Sequence, residues 1–162
     1  MFRVRTLYNG QVEVKTSAER VREFFGDVRN FVELMPGVES ITNEDGGVRR
    51  WSIRADLPFL NSMRATFAVR QTCNDSERIE WSPAENEKKN LLRYAATFKD
   101  RGSQVLISIE QRIELRRQHA RELHMLAGLI GEERISHEMQ KRVHEMMRTF
   151  LKRARTKLEG DE

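Results

Sequence analysis

Even-numbered positions carry the apolar and aromatic residues at the start of the chain: Phe2, Val4, Tyr8, Val12 and Val14. This is the two-residue period of one strand face. The parity survives Asn9-Gly10, so a single bent strand is predicted there rather than a hairpin with very short arms. Gly10 then falls on the inner face, where a missing side chain leaves room for something packed close across it. Ser17 is a good helix N-cap, and Glu19 and Glu23 suit the positive end of a helix that buries Val21, Phe24, Phe25 and Val28. A second short helical piece carries Phe31, Leu34 and Met35 before Pro36-Gly37 forbids continuation.

From Val38 the period returns to two. Trp51, Ile53, Ala55 and Leu57 alternate with polar neighbours, as do Met63, Ala65, Phe67 and Val69 after a turn at Pro58 to Ser62. Polar breaks at Gly46-Gly47, Asn74 to Ser76, Glu85 to Asn90 and Lys99 to Ser103 have hairpin length, so consecutive strands are expected to be antiparallel neighbours. About seven strands result; the last faces Val105, Ile107, Ile109, Ile113 and Leu115 inward. The period then becomes helical: Ile135, Met139, Val143, Met146, Met147, Phe150, Leu151, Ala154 and Leu158 occupy an arc of about 160°. A helix of roughly 25 residues, about 37 Å long, can cross the dry face of a whole sheet. The intervening segment 119–131 reads as a loop with a short helix.

The predicted architecture is α+β: a curved seven-stranded antiparallel sheet wrapped around a long C-terminal helix, with two short helices between strands 1 and 2, in one domain over 1–162. In sequence, VEVKTSAERVREFFGDVRNFVELMPGVESI (12–41), Ile79-Glu80-Trp81-Ser82, Ser103 to Glu110 and the terminal RTFLKRARTKLEG together resemble the START/SRPBCC helix-grip superfamily. The resemblance covers nearly the entire chain and is closest to the polyketide cyclase/dehydrase, lipid-transport-like and coenzyme Q-binding families. It implies the helix-grip fold and an apolar cavity between sheet and helix. Relatives of the cyclase kind often carry an aromatic-proline stretch after the last strand. Here Arg116-Arg117-Gln118-His119 stands instead, so no one relative's cargo is carried over.

Composition narrows the partners. With 38% apolar and 33% charged residues, and no apolar run near the roughly 18 residues a spanning helix needs, membrane spanning is excluded. The N-terminus has no secretory h-region, and the lone Cys73 cannot form an internal disulfide, so a cytoplasmic location is expected. The net charge of +4 comes from 29 basic and 25 acidic residues spread along the chain. Neither a single-strand reader's aromatic-basic spacing nor a zinc finger's Cys/His spacing is present, which argues against nucleic acid.

The expected cavity lining comprises Tyr8, Trp51, Ile53, Met63, Phe67, Trp81, Tyr94, Phe98, Ile107 and Ile109 from the strands, with Met139, Val143, Met146 and Phe150 from the helix. Tyr8 and Tyr94 place hydroxyls on the inner face and are candidates for orienting a carbonyl or polar headgroup; Gln71 and Gln111 share the parity. No catalytic residue, metal site or cofactor is assigned. His137 and His144 stand seven apart, whereas a zinc-binding helix pair usually stands at i and i+4 around a Glu, and no histidine lies near Cys73 in sequence. The expected function is non-catalytic binding or transport of a hydrophobic small molecule, such as a lipid, quinone or polyketide-like compound. One alternative is a cyclase or dehydratase using the same cavity, which requires an inward acid or base. Another is an accessory interaction module acting through Leu123 to Ile130 or the basic helix face Lys141, Arg148, Lys152 and Arg155, a face that also suits peripheral contact with anionic lipid. Oligomeric state is left open.

Overall fold

The computed structural model describes residues 1–160. Strand β1 (Phe2–Val14) leads into helices α1 (Ala18–Gly26) and α2 (Arg29–Leu34). Strands β2 (Val38–Asn43), β3 (Val48–Leu57), β4 (Asn61–Asn74), β5 (Arg78–Pro83), β6 (Asn90–Asp100) and β7 (Val105–Arg117) follow, then α3 (Ala127–Ile130) and α4 (Glu132–Gly160). The sheet is antiparallel with order β1-β7-β6-β5-β4-β3-β2. β1 runs unbroken through Asn9-Gly10, in register with β7 from Phe2↔Arg117 to Val14↔Val105. The predicted single strand is therefore present. Ser17 caps α1 by accepting the Arg20 N–H at 3.2 Å, and all nine residues of the apolar stripe on α4 are buried.

α4 lies along β1, which is an edge strand and presents N–H and C=O groups with no strand to receive them. Side chains of α4 take that place. Ser136 Oγ accepts the Arg5 N–H at 3.2 Å; Gln140 accepts the Leu7 N–H at 2.8 Å and donates to the Leu7 carbonyl at 2.6 Å; Glu159 accepts the Lys15 N–H at 2.8 Å. The match is geometric: four residues of helix and two of strand both advance about 6–7 Å. Replacing Gln140 by Leu removes both bonds to Leu7. The expected loss is about 1–3 kcal/mol of unfolding free energy in urea melts, with faster hydrogen exchange at the Leu7 amide.

One end of the grip is filled by aromatic rings. Phe31 of α2 stands 5.2 Å from Trp51, 5.5 Å from Tyr94 and 5.4 Å from Phe150, measured between ring centres. Phe25 of α1 sits 5.3 Å from Phe98. The two inserted helices are tied to α4 by the buried Asn30, which donates to the Phe24 carbonyl at 2.8 Å and accepts from Lys157 Nζ at 2.7 Å. That end of the molecule is thus a packed core rather than open space.

Candidate binding cavity

At the other end, sheet and helix stand apart and leave a cavity of about 620 Å³. Its floor is the inward face of β3 and β4, where Ile53, Ala55, Met63, Ala65 and Phe67 alternate with outward polar residues. Ile113 and Leu115 of β7 add a further part of the wall, and Met139, Val143 and Met146 cover it from α4. The small Ala55 and Ala65 make the space, and flexible thioethers beside it can repack around an irregular guest. The turn Pro36–Gly37 and the start of β2 complete the rim. Gly37 has φ +89, and a Cβ there would stand 2.6 Å from the Arg54 carbonyl oxygen. Only glycine fits that approach.

The rim also carries Glu39, Arg54, Asp56, Arg142 and Glu145. Strand parity assigns Arg54 and Asp56 to the wet face; near the sheet's β2 edge that face borders the opening. These groups are paired. Arg64 holds the Glu39 carboxyl below the usual carboxylate range by hydrogen bonding; the Ser62 hydroxyl, with Arg54 nearby, does the same for Asp56. Both carboxylates are accordingly poor proton acceptors near neutrality.

Of the residues anticipated from sequence, Ile53, Met63, Phe67, Met139, Val143 and Met146 come together around the cavity. Trp51, Tyr94, Phe98 and Phe150 instead belong to the aromatic cluster. Ile107 and Ile109 are buried opposite Phe98 and Ala96, and Trp81 lies under the Arg49 guanidinium, 5.2 Å from its ring centre. The reason is the insertion of α1 and α2: Phe24, Phe25 and Phe31 occupy the part of the grip that these residues would otherwise line. Tyr8 folds over Gly10, where an added Cβ would collide with its hydroxyl, and its ring meets His144 edge-on at 5.5 Å. The room left by Gly10 is filled by the neighbouring tyrosine. Burial raises the Tyr8 hydroxyl's pKa, with Arg148 opposing.

Several polar atoms deep in the grip have no hydrogen-bond partner among the described residues: the Tyr94 hydroxyl, Gln111 Nε2, Trp51 Nε1, Trp81 Nε1 and Thr6 Oγ1. A buried polar atom left unpaired costs about 1–3 kcal/mol. Burial also pushes the Tyr94 hydroxyl well above its ordinary pKa, so it remains a neutral donor.

A sequence model of the CoxG family, described as a subunit of carbon monoxide dehydrogenase, matches residues 10–155. No curated protein matches the chain in sequence. Among solved structures, the chain resembles the di-domain ARO/CYC BexL of the BE-7585A biosynthetic pathway at 15% identity and TM-score 0.67, over 98% of this chain and 52% of that one. It thus spans about half the length of that protein. The Zhui aromatase/cyclase from Streptomyces sp. R1128 matches over 94% of each chain, at 15% identity and TM-score 0.66. A START superfamily protein from Mycobacterium smegmatis matches over 95% of this chain and 97% of that one, at 13% identity and TM-score 0.62. The fold is the START-type helix grip.

Proposed function

This chain belongs to the CoxG family of carbon monoxide dehydrogenase subunits, and from that premise we propose that it binds and carries a hydrophobic small molecule without turning it over. The molecule is lipid-, quinone- or polyketide-like, and residues 1–162 act as one cytoplasmic domain. The observation that carries this reading is the cavity of about 620 Å³ walled by Ile53, Ala65, Phe67, Met139 and Val143, a size and chemistry suited to a small apolar guest. The charged groups of the rim support binding over catalysis, because Glu39 and Asp56 are held in their ionised forms by neighbours. Among the described residues no helix is long and apolar enough to cross a membrane.

The family's description as part of a dehydrogenase supports a second role, docking to a partner. The exposed Met125 (82%) and Leu129 (87%) on the segment before α4 favour it, since large apolar side chains so open to water mark interaction sites when they cluster.

Native mass spectrometry with solvent extraction, on protein purified from its own host, tests the carrier reading. An apolar compound is expected to accompany the wild-type chain and to be missing from Ala65→Trp. The same complement on both proteins would count against the cavity as its seat.

A further inference from the structure

Gln111, Tyr94 and Trp81 stand side by side across β7, β6 and β5, in direct register (Gln111↔Tyr94, Tyr94↔Trp81), with their side chains on the inner face. Each keeps a polar atom without a partner among the described residues. Trp51, which packs with Tyr94 against the same Phe31 ring, keeps another. Tyr94 is 1% and Gln111 2% exposed. Indole and carboxamide nitrogens can only donate, which holds for three of these four atoms, and the phenol hydroxyl can donate as well as accept. The unmet need at this place is therefore for an acceptor.

The row lies next to the cavity. Ile113, which lines it, is two residues from Gln111 along β7, about 7 Å at the rise of a strand. Thr6, whose hydroxyl is also unpartnered, pairs with Ile113 across the β1–β7 ladder. Unpaired polar atoms thus continue inward from the cavity wall. Met139 and Met146 cover the cavity from α4, and unbranched thioether chains can swing aside to lengthen it.

We propose that this row is the inner, polar end of the ligand site, reached from the cavity past Ile113 when the Phe31 ring packed on Tyr94 and Trp51 moves aside, and that it receives a neutral carbonyl oxygen on an otherwise apolar molecule. The proposal rests on the carrier reading above and sharpens it by ligand class. The Arg49 guanidinium lies over the Trp81 ring, but burial alone acts on the Tyr94 hydroxyl, so a carboxylate seated between Tyr94 and Gln111 would find no cation there to offset its loss of water. An ammonium group would find acceptors only in the Tyr94 hydroxyl and the Gln111 carboxamide oxygen, would leave both indole N–H groups unpaired and would bury a charge with no counter-ion. A ketone-type oxygen accepts one or two of these hydrogen bonds and leaves no charge buried.

Binding of 2-acetylnaphthalene, labelled with carbon-13 at its carbonyl, is compared with that of 2-ethylnaphthalene, which has the same shape without the oxygen. The proteins are the wild type, Tyr94→Phe, Gln111→Leu and the double variant. The wild type is expected to prefer the ketone by about tenfold, equivalent to about 1.4 kcal/mol, and to lower the infrared carbonyl stretch of the bound probe. The double variant should bind both compounds equally, with an unshifted stretch. Its thermal midpoint without ligand should equal or exceed that of the wild type, because the deleted groups had no partners. A purely structural role would instead lower that midpoint and leave the ketone preference intact, which overturns the proposal. An unshifted carbonyl stretch in the wild type overturns it equally. If neither compound binds to the wild type, the carrier reading itself fails, and the proposal fails with it.

Discussion

Gly37→Ala is expected to destabilise the protein by roughly 3 kcal/mol, combining about 1–3 kcal/mol for a non-glycine residue at strongly positive φ with a similar cost for overpacking. Two observations require glycine there: φ is +89, and the new methyl would stand 2.6 Å from the Arg54 carbonyl oxygen. That oxygen belongs to backbone, so it cannot swing away as a side-chain tip would. Relief would have to separate the turn from β3 and strain the Arg54 N–H bond to the Gly37 carbonyl, now 2.7 Å. At about 2–4 °C per kcal/mol for a chain of this size, the thermal midpoint should fall by about 6–12 °C. An alanine variant melting with the wild type would show that the turn is looser than described. Since Gly37 borders the cavity, with Met146 Sδ 3.5 Å from the same added methyl, the fold and the site share this residue.

The second large effect is on binding. Ala65 points into the cavity from the middle of β4, opposite Ile53, and Ala65→Trp would set an indole in the space meant for a guest. A ligand burying about 200 Å² of apolar surface gains about 5 kcal/mol at 25 cal/mol per Å². Displacing half of that contact costs about 2.5 kcal/mol, a loss of about 70-fold in affinity. Thr66→Trp adds the same ring one residue along, on the exposed outer face, and should leave affinity unchanged. Equal affinities in the two variants would place the guest elsewhere.

The sheet and helices are legible in the sequence because their periods are unusually regular. Strand parity places Trp51, Ile53, Phe67 and Val69 inward, and the helical stripe from Ile135 to Leu158 marks one buried side of α4; the structure buries all of them. The pairing of β1 with β7 is not legible, since parity gives the face of a strand but not its neighbour. The cavity's extent is hidden for a related reason. Inward direction is a local property, whereas empty space depends on what the other layer supplies. Phe24, Phe25 and Phe31 carry the missing signal, since three large rings on the inserted helices must be buried somewhere, and they fill one end of the grip. Ala55 and Ala65 carry the complementary signal of a thin floor beneath the other end. The charged rim escapes because alternation treats Arg54 and Asp56 as solvent-facing along the whole strand, although the wet face meets the cavity mouth at the sheet edge.

The methionines provide the most direct test of the cavity as a binding site. Met63, Met139 and Met146 line it, Met35 and Met147 are buried outside the lining, and Met1 and Met125 are exposed. With carbon-13 in the methionine methyl groups and each signal assigned by substitution, titration with 2-acetylnaphthalene should move the resonances of Met63, Met139 and Met146 together, at one saturating affinity, while Met1 and Met125 stay in place. Shifts confined to Met125, or a saturated complex in which the three cavity methyls do not move, would contradict the assignment of this cavity as the ligand's seat.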